Sequence, residues 1–221
     1  MSTMRTRIKI CCISSVEEAR LAISLGADAL GLVGRMPSGP GPIADELIAS
    51  ISQHIHPPIA SFLLTSEQEA DDIIAHVRRT GVNTVQIVDE LTGGSYAEIR
   101  RALPYIRIVQ VIHVQGENSI SQAEKLQNEV DALLLDSGNP NAAIKTLGGT
   151  GQVHNWDISR ELVSRVTIPV FLAGGLRAEN VGEAITRIRP FGVDICSGVR
   201  TGGRLDPDRL RAFVSAVAAA S

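Results

Sequence analysis

Three stretches near the end of this 221-residue chain combine residue types that handle an anion and a proton. The apolar run 130–135 stops at Asp136 and leads to Leu147-Gly148-Gly149-Thr150-Gly151. The run 169–173 stops at Gly174-Gly175, and the run 192–195 at Cys196-Ser197-Gly198. Glycine just past a strand lets backbone approach a ligand and turn N–H groups toward an anion. Tight loops need glycine without a ligand too, but two such turns in succession match the phosphate grip that parallel barrels build. A carboxylate ending a buried strand is costly unless solvated or hydrogen-bonded. Asp136 therefore reads either as a cap for the turn Ser137-Gly138-Asn139-Pro140 or as a general acid whose pKa burial raises. Near the other terminus stands Lys9-Ile10-Cys11-Cys12. Strand alternation puts Lys9 and Cys11 on one face and turns Cys12 with Ile10 to the other, so Cys11 faces the barrel mouth if Cys12 packs against helices. The thiols read as small buried hydrophobes, or Cys11 as a proton acceptor in a closed site.

The elements that must position these groups alternate strictly. Short apolar runs at 7–12, 28–33, 59–64, 83–88, 107–114, 131–136, 169–173 and 193–196 read as buried parallel strands. Amphipathic patterns at 15–25, 43–53, 66–79, 95–103, 118–128, 157–165, 178–189 and 207–219 read as helices. Eight βα units in this length predict an α/β fold, a single-domain (β/α)8 barrel over 1–221 with its site at the C-terminal ends of the strands. An open doubly wound sheet would want Gly-x-Gly-x-x-Gly after the first strand, where this chain has Cys-Cys-Ile-Ser-Ser. Ser15 followed by Glu18 is a capping-box pattern, and Ser66 opens a second helix in the same way. Gly26 and Gly81 stand where helical periodicity stops. The other polar groups at strand ends are Arg35, Asp89, His113, Asp194 and Ser197, and the Pro/Gly-rich stretch 37–42 falls in the loop after the second strand.

Composition narrows the partners. Net charge is −3, no Lys/Arg cluster stands out and aromatics are 3%, which argues against nucleic acid. No apolar run reaches membrane length, and the N-terminus lacks an apolar signal core, so a cytoplasmic protein is expected. The odd count of cysteines (Cys11, Cys12, Cys196) argues against a disulfide framework and for a reducing compartment. The five histidines show no metal-ligand spacing with the cysteines. His113 reads equally as a site or a structural residue, and Trp156 as a packing anchor.

Nearly end to end, the chain resembles the phosphoribosylanthranilate isomerase family. Lys9-Ile10-Cys11…Ile13-Ser14 is similar to its Lys-Ile-Cys-Gly-Ile-Thr opening, and 26–31 to its second-strand motif. Asp131–Asp136, Gly148-Gly149-Thr150-Gly151…Trp156, Leu172–Leu176…Glu179-Asn180-Val181 and Gly192-Val193-Asp194…Ser197-Gly198-Val199 resemble its sixth strand, the loop after it and its two phosphate loops. The resemblance implies an Amadori rearrangement of an anthranilate-bearing aminoaldose phosphate in tryptophan biosynthesis, by an aldose–ketose isomerase. Asp136 would protonate the ring oxygen and Cys11 would take the C2 proton, with Lys9 favouring the thiolate; Lys9, Arg35, Gly149, Gly174, Gly175, Asp194, Ser197 and Gly198 would bind substrate and phosphate. No cofactor or metal is implied, and the protein would act as a monomer or homodimer on a small phosphosugar. The departures are Cys12 where the family has glycine, Cys196 where serine is usual, and Gln86-Ile87-Val88-Asp89 for its Gln-Leu-His-Gly. The family arginine for the aryl carboxylate is missing from 37–42, and Arg35 is the candidate replacement. Those departures keep two alternatives open: a related barrel isomerase for another phosphosugar, and a non-catalytic phosphometabolite-binding paralogue.

Overall fold

A computed structural model describes residues 5–138 and 155–221. Eight parallel strands close a barrel in sequence order: β1 (Arg7–Ile10), β2 (Ala29–Val33), β3 (Ala60–Thr65), β4 (Thr84–Ile87), β5 (Arg107–His113), β6 (Ala132–Asp136), β7 (Val170–Leu172) and β8 (Gly192–Ile195). Outside lie α1 (Val16–Ser24), α2 (Asp45–Gln53), α3 (Ala70–Thr80), α4 (Tyr96–Ala102), α5 (Asn118–Leu126), α6 (Trp156–Arg165), α7 (Val181–Ile188) and α8 (Pro207–Ala220). The predicted barrel is the observed one.

Two cores result from the alternation of each strand. The larger lies between strands and helices and takes Ile10, Leu30, Leu63, Ile87, Leu133 and Val193, with Trp156 at its edge. The smaller fills the barrel interior with Ala29, Phe62, Val109, Leu134, Phe171 and the thiols of Cys11 and Cys12. Within it, Phe62 and Phe171 meet edge to face at 5.9 Å.

Register brings distant residues level. The pairing of β1 with β8 sets Lys9 opposite Asp194, and that of β5 with β6 sets His113 opposite Asp136. Helix caps fix how the loops leave the strands. Ser15 accepts the N–H of Glu18, as its pattern predicts, while Glu18 reaches back to the N–H of Ser14. Gly81 closes α3 with φ +65°, and Asp206 caps α8 ahead of Pro207 at its first turn.

Two local expectations are corrected. The third helix starts at Ala70, not at residue 66. The Ser66 hydroxyl donates to the Arg35 carbonyl at 2.9 Å, which ties the loop after β3 to that after β2 instead of capping a helix. Cys12 does not continue the alternation of β1, which ends at Ile10. Its φ of +62° swings the thiol back inside, beside Cys11, so it packs in the barrel and not against helices.

Candidate active site

A cleft opens at the C-terminal end of the barrel, with Cys11, Gln86, Asp136, Gly174, Asp194 and Ser197 among its walls. The thiol and carboxyl singled out by the sequence thus share one cavity with both described glycine turns. Gly174 and Gly175 follow β7 with φ of +85° and +63°, a left-handed pair that other residues adopt only at a cost. Ser197 opens a short 3-10 turn, 197–199, directly after β8. Loops after the seventh and eighth strands plus the start of a short extra helix form the usual phosphate seat of such barrels. Gly198 lies behind that seat; a Cβ there would stand 2.5 Å from the Leu176 carbonyl. Gly149, the remaining glycine candidate, lies outside the described residues.

Below the cleft sits Lys9, fully buried, its ammonium 2.8 Å from Asp194 Oδ2 and 5.3 Å from the centre of the Phe62 ring. Burial alone would lower its pKa. The Asp194 carboxylate, its hydrogen bond and the thiols of Cys11 and Cys12 outweigh burial, so the net shift is upward and Lys9 stays charged. Lys9, expected among the substrate-binding groups, is enclosed and does not line the cleft, which it meets through Asp194 and Cys11. Gly31 makes this approach possible. A Cβ on it would come within 2.9 Å of Cys11 Sγ and 3.1 Å of Lys9 Nζ.

One carboxyl oxygen of Asp136 accepts the Ser137 N–H at 2.7 Å, while burial pushes its pKa up against that bond and the charges of His113 and Lys9. A carboxyl that keeps its proton above the usual range and faces a cleft suits proton donation. His113 stands beside it; its Nε2–H donates to the Val88 carbonyl at 2.9 Å, and its Nδ1 has no partner among the described residues.

Arg35 is not brought to the cleft. It is exposed on the loop after β2, whose Met36, Ser38 and Pro40 form the wall instead. Two residues were missed. Gln86 on β4 is buried, yet its Oε1 has no partner among the described residues, and neither has Asp194 Oδ1. Buried acceptors without donors are rare, and at a cleft they call for donors on a ligand. A polar residue inside an apolar strand was the only available signal for Gln86. The other is Arg200, which donates to the carbonyls of Cys11 and Cys12 and pairs with Glu18 at 3.1 Å, clamping the end of β1. Asp89, also at a strand end, lines a separate polar hollow with His113. Among the described residues, no group of three or more His, Cys, Asp and Glu side chains is arranged to hold a metal ion.

The closed eight-stranded barrel with helices outside and a cleft at the C-terminal end defines a class, the (β/α)8 barrels. Within that class, the profile described as N-(5'phosphoribosyl)anthranilate (PRA) isomerase matches residues 8–216, and the chain belongs to that family. A Methanosarcina mazei protein named N-(5'-phosphoribosyl)anthranilate isomerase 2 is 41% identical over 195 residues, 88% of this chain and 85% of its own. The crystal structure of phosphoribosyl anthranilate isomerase from Thermotoga maritima superposes with a TM-score of 0.78 at 28% identity, covering 96% of this chain and 98% of that one. A further structure of such an isomerase, in complex with reduced 1-(o-carboxyphenylamino)-1-deoxyribulose 5-phosphate, matches with a TM-score of 0.76 at 26% identity over 96% and 98% of the two chains.

Proposed function

We propose that the chain converts N-(5'-phosphoribosyl)anthranilate to 1-(o-carboxyphenylamino)-1-deoxyribulose 5-phosphate, an intramolecular aldose-to-ketose redox isomerisation in tryptophan biosynthesis. The observation that carries this reading is the shared cleft of Cys11, Asp136 and the phosphate turns. The 5-phosphate rests on Gly174-Gly175 and Ser197-Gly198. Asp136 gives its proton to the ring oxygen; the ring C–O bond breaks and the C1–N bond becomes a protonated Schiff base. Cys11 thiolate removes the C2 proton, and the C2–H electron pair moves to form the enolamine. Its tautomerisation delivers the aminoketose, with no net gain or loss of atoms. Only proton transfers are involved, so the reaction asks for no cofactor.

Gln86 Oε1 and Asp194 Oδ1 complete the fit. The substrate offers an anilino N–H and sugar hydroxyls, the donors these buried acceptors lack. As the Schiff base forms, N–H becomes cationic, and an acceptor on it strengthens just as C2 must acidify. The aryl ring would lie on Val33, Met36, Leu64 and Val88. The three free thiols suit the reducing cytoplasm. One related isomerase structure is of a protein described as dimeric in its parent form, and a monomer or homodimer is the state proposed here.

A second reading keeps the phosphosugar and changes its other end. Among the described residues that line the cleft there is no arginine or lysine, and Pro40 stands in the loop that carries the family arginine. An amino-sugar phosphate with an uncharged substituent would fit such a wall. Turnover of N-(5'-phosphoribosyl)anthranilate by the purified chain, followed as loss of anthranilate fluorescence, separates the two. Efficient turnover supports the first; turnover only of a decarboxylated analogue supports the second.

A further inference from the structure

Cys12 is the only non-glycine besides Arg189 with positive φ among the described residues, and it lies in the cleft. The left-handed backbone costs an ordinary side chain about 1–2 kcal/mol, so a thiol kept there asks for a use. Its surroundings supply one. Cys11, Cys12 and Cys196 line the same cleft, Cys196 packs against the buried cluster that holds the other two thiols, and the Cys12 S–H donates to the Pro40 carbonyl at 3.6 Å. Cys196, at the end of β8, is partly exposed to the cleft, whereas Cys12 is buried behind it. Arg200 and Lys9 are the cations near Cys196, and Asp194 is the opposing carboxylate.

We propose that Cys12 and Cys196 form a reversible disulfide, made by a hydroperoxide, that shuts the cleft. The two thiols have unlike roles. The neighbouring Cys12 thiol pulls the Cys196 pKa down against burial, and the Arg200 guanidinium adds to this. The neighbouring thiols of Cys11 and Cys196, together with burial, push Cys12 up, so it keeps its proton. Cys196 thiolate attacks one peroxide oxygen; the O–O bond breaks, hydroxide (or alkoxide) leaves and Cys196 becomes a sulfenic acid. Cys12 sulfur then attacks the Cys196 sulfur; the S–O bond breaks, and the hydroxyl leaves as water with the Cys12 proton. Two thiols are oxidised by two electrons and the peroxide is reduced. Bonding Cys11 to Cys12 instead would close a small ring through their own peptide bond, whose planarity resists it. The new bond fastens the end of β1 to the turn at Ser197 across the cleft, so turnover stops.

The test uses the full chain titrated with hydrogen peroxide and digested with trypsin without reductant. The expected product joins peptide 10–20 to peptide 188–200 with loss of two hydrogens. It persists in Cys11→Ser and is absent from Cys12→Gly, a variant whose backbone favours glycine and which therefore folds. Turnover falls at least about tenfold with the same dose and returns with dithiothreitol. Absence of the linked peptide, a link that survives in Cys12→Gly, or a loss that dithiothreitol does not reverse overturns the proposal. Peptide mapping needs no substrate, so its outcome is independent of whether the proposed function holds.

Discussion

Replacing Lys9 with methionine removes one partner of an enclosed ion pair and leaves the other in place. Lys9 is fully buried and Asp194 is 8% exposed, with a 2.8 Å contact between them. Water cannot reach Lys9 without opening the barrel, whereas Asp194 lines the cleft. Breaking a pair of this kind costs about 3–5 kcal/mol, because the remaining charge is stranded. Asp194 keeps access to solvent at the cleft, so the cost should fall near the lower end, about 3 kcal/mol. Replacing both, as Lys9→Met with Asp194→Asn, removes the stranded charge and should recover at least about 1 kcal/mol, since isosteric neutral pairs are often no worse than the ion pair. Urea unfolding of the parent, both single variants and the double variant measures the coupling directly. A single-variant cost under about 1 kcal/mol with no coupling would refute the reasoning, since it would mean the pair is hydrated.

Gln86→Met should lower kcat by about 10- to 100-fold while leaving the urea midpoint unchanged or raised, because it removes an acceptor that has no partner among the described residues; a lost midpoint would make Gln86 structural. Asp136 has its pKa raised above the carboxylate value of 3.8, so the acid is present below that raised pKa and kcat/KM falls as pH climbs through it; Asp136→Glu should move that limb, and an unmoved limb would assign it to another group. The same sign governs stability: the raised pKa favours the fold while Asp136 is protonated, and this contribution is lost as pH rises, so Asp136→Asn should unfold at higher urea than the parent at neutral pH. Arg35→Ala should change KM by less than about twofold, since Arg35 is exposed and off the cleft wall; a larger rise would return it to the aryl end.

The barrel was legible because burial on both faces writes each strand as a short apolar run, and each run is followed by an amphipathic stretch. Asp136 and the glycine turns were legible because they interrupt those runs at the ends where barrels work. What depends on contact across the chain was not. Lys9 and Asp194 are 185 residues apart, and only strand register shows that they form a pair beneath the cleft. Alternation misplaced Cys12, because it assumes extended backbone and the φ there is +62°. Ser66 carries a helix-cap pattern, but its hydroxyl serves the Arg35 carbonyl. Gln86 looks in sequence like any polar strand residue; its missing partner is visible only in three dimensions.

Cys11 as the base that removes the C2 proton, and Asp136 as the acid that opens the ring, are tested together by one measurement: turnover of N-(5'-phosphoribosyl)anthranilate carrying deuterium at C2, by the parent chain, Cys11→Ser and Asp136→Asn, each checked for phosphate binding. The account predicts that both variants lose about three or more orders of magnitude and still bind phosphate, and that Cys11→Ser shows a larger isotope effect than the parent. Near-parental turnover in either variant would contradict the role given to that residue.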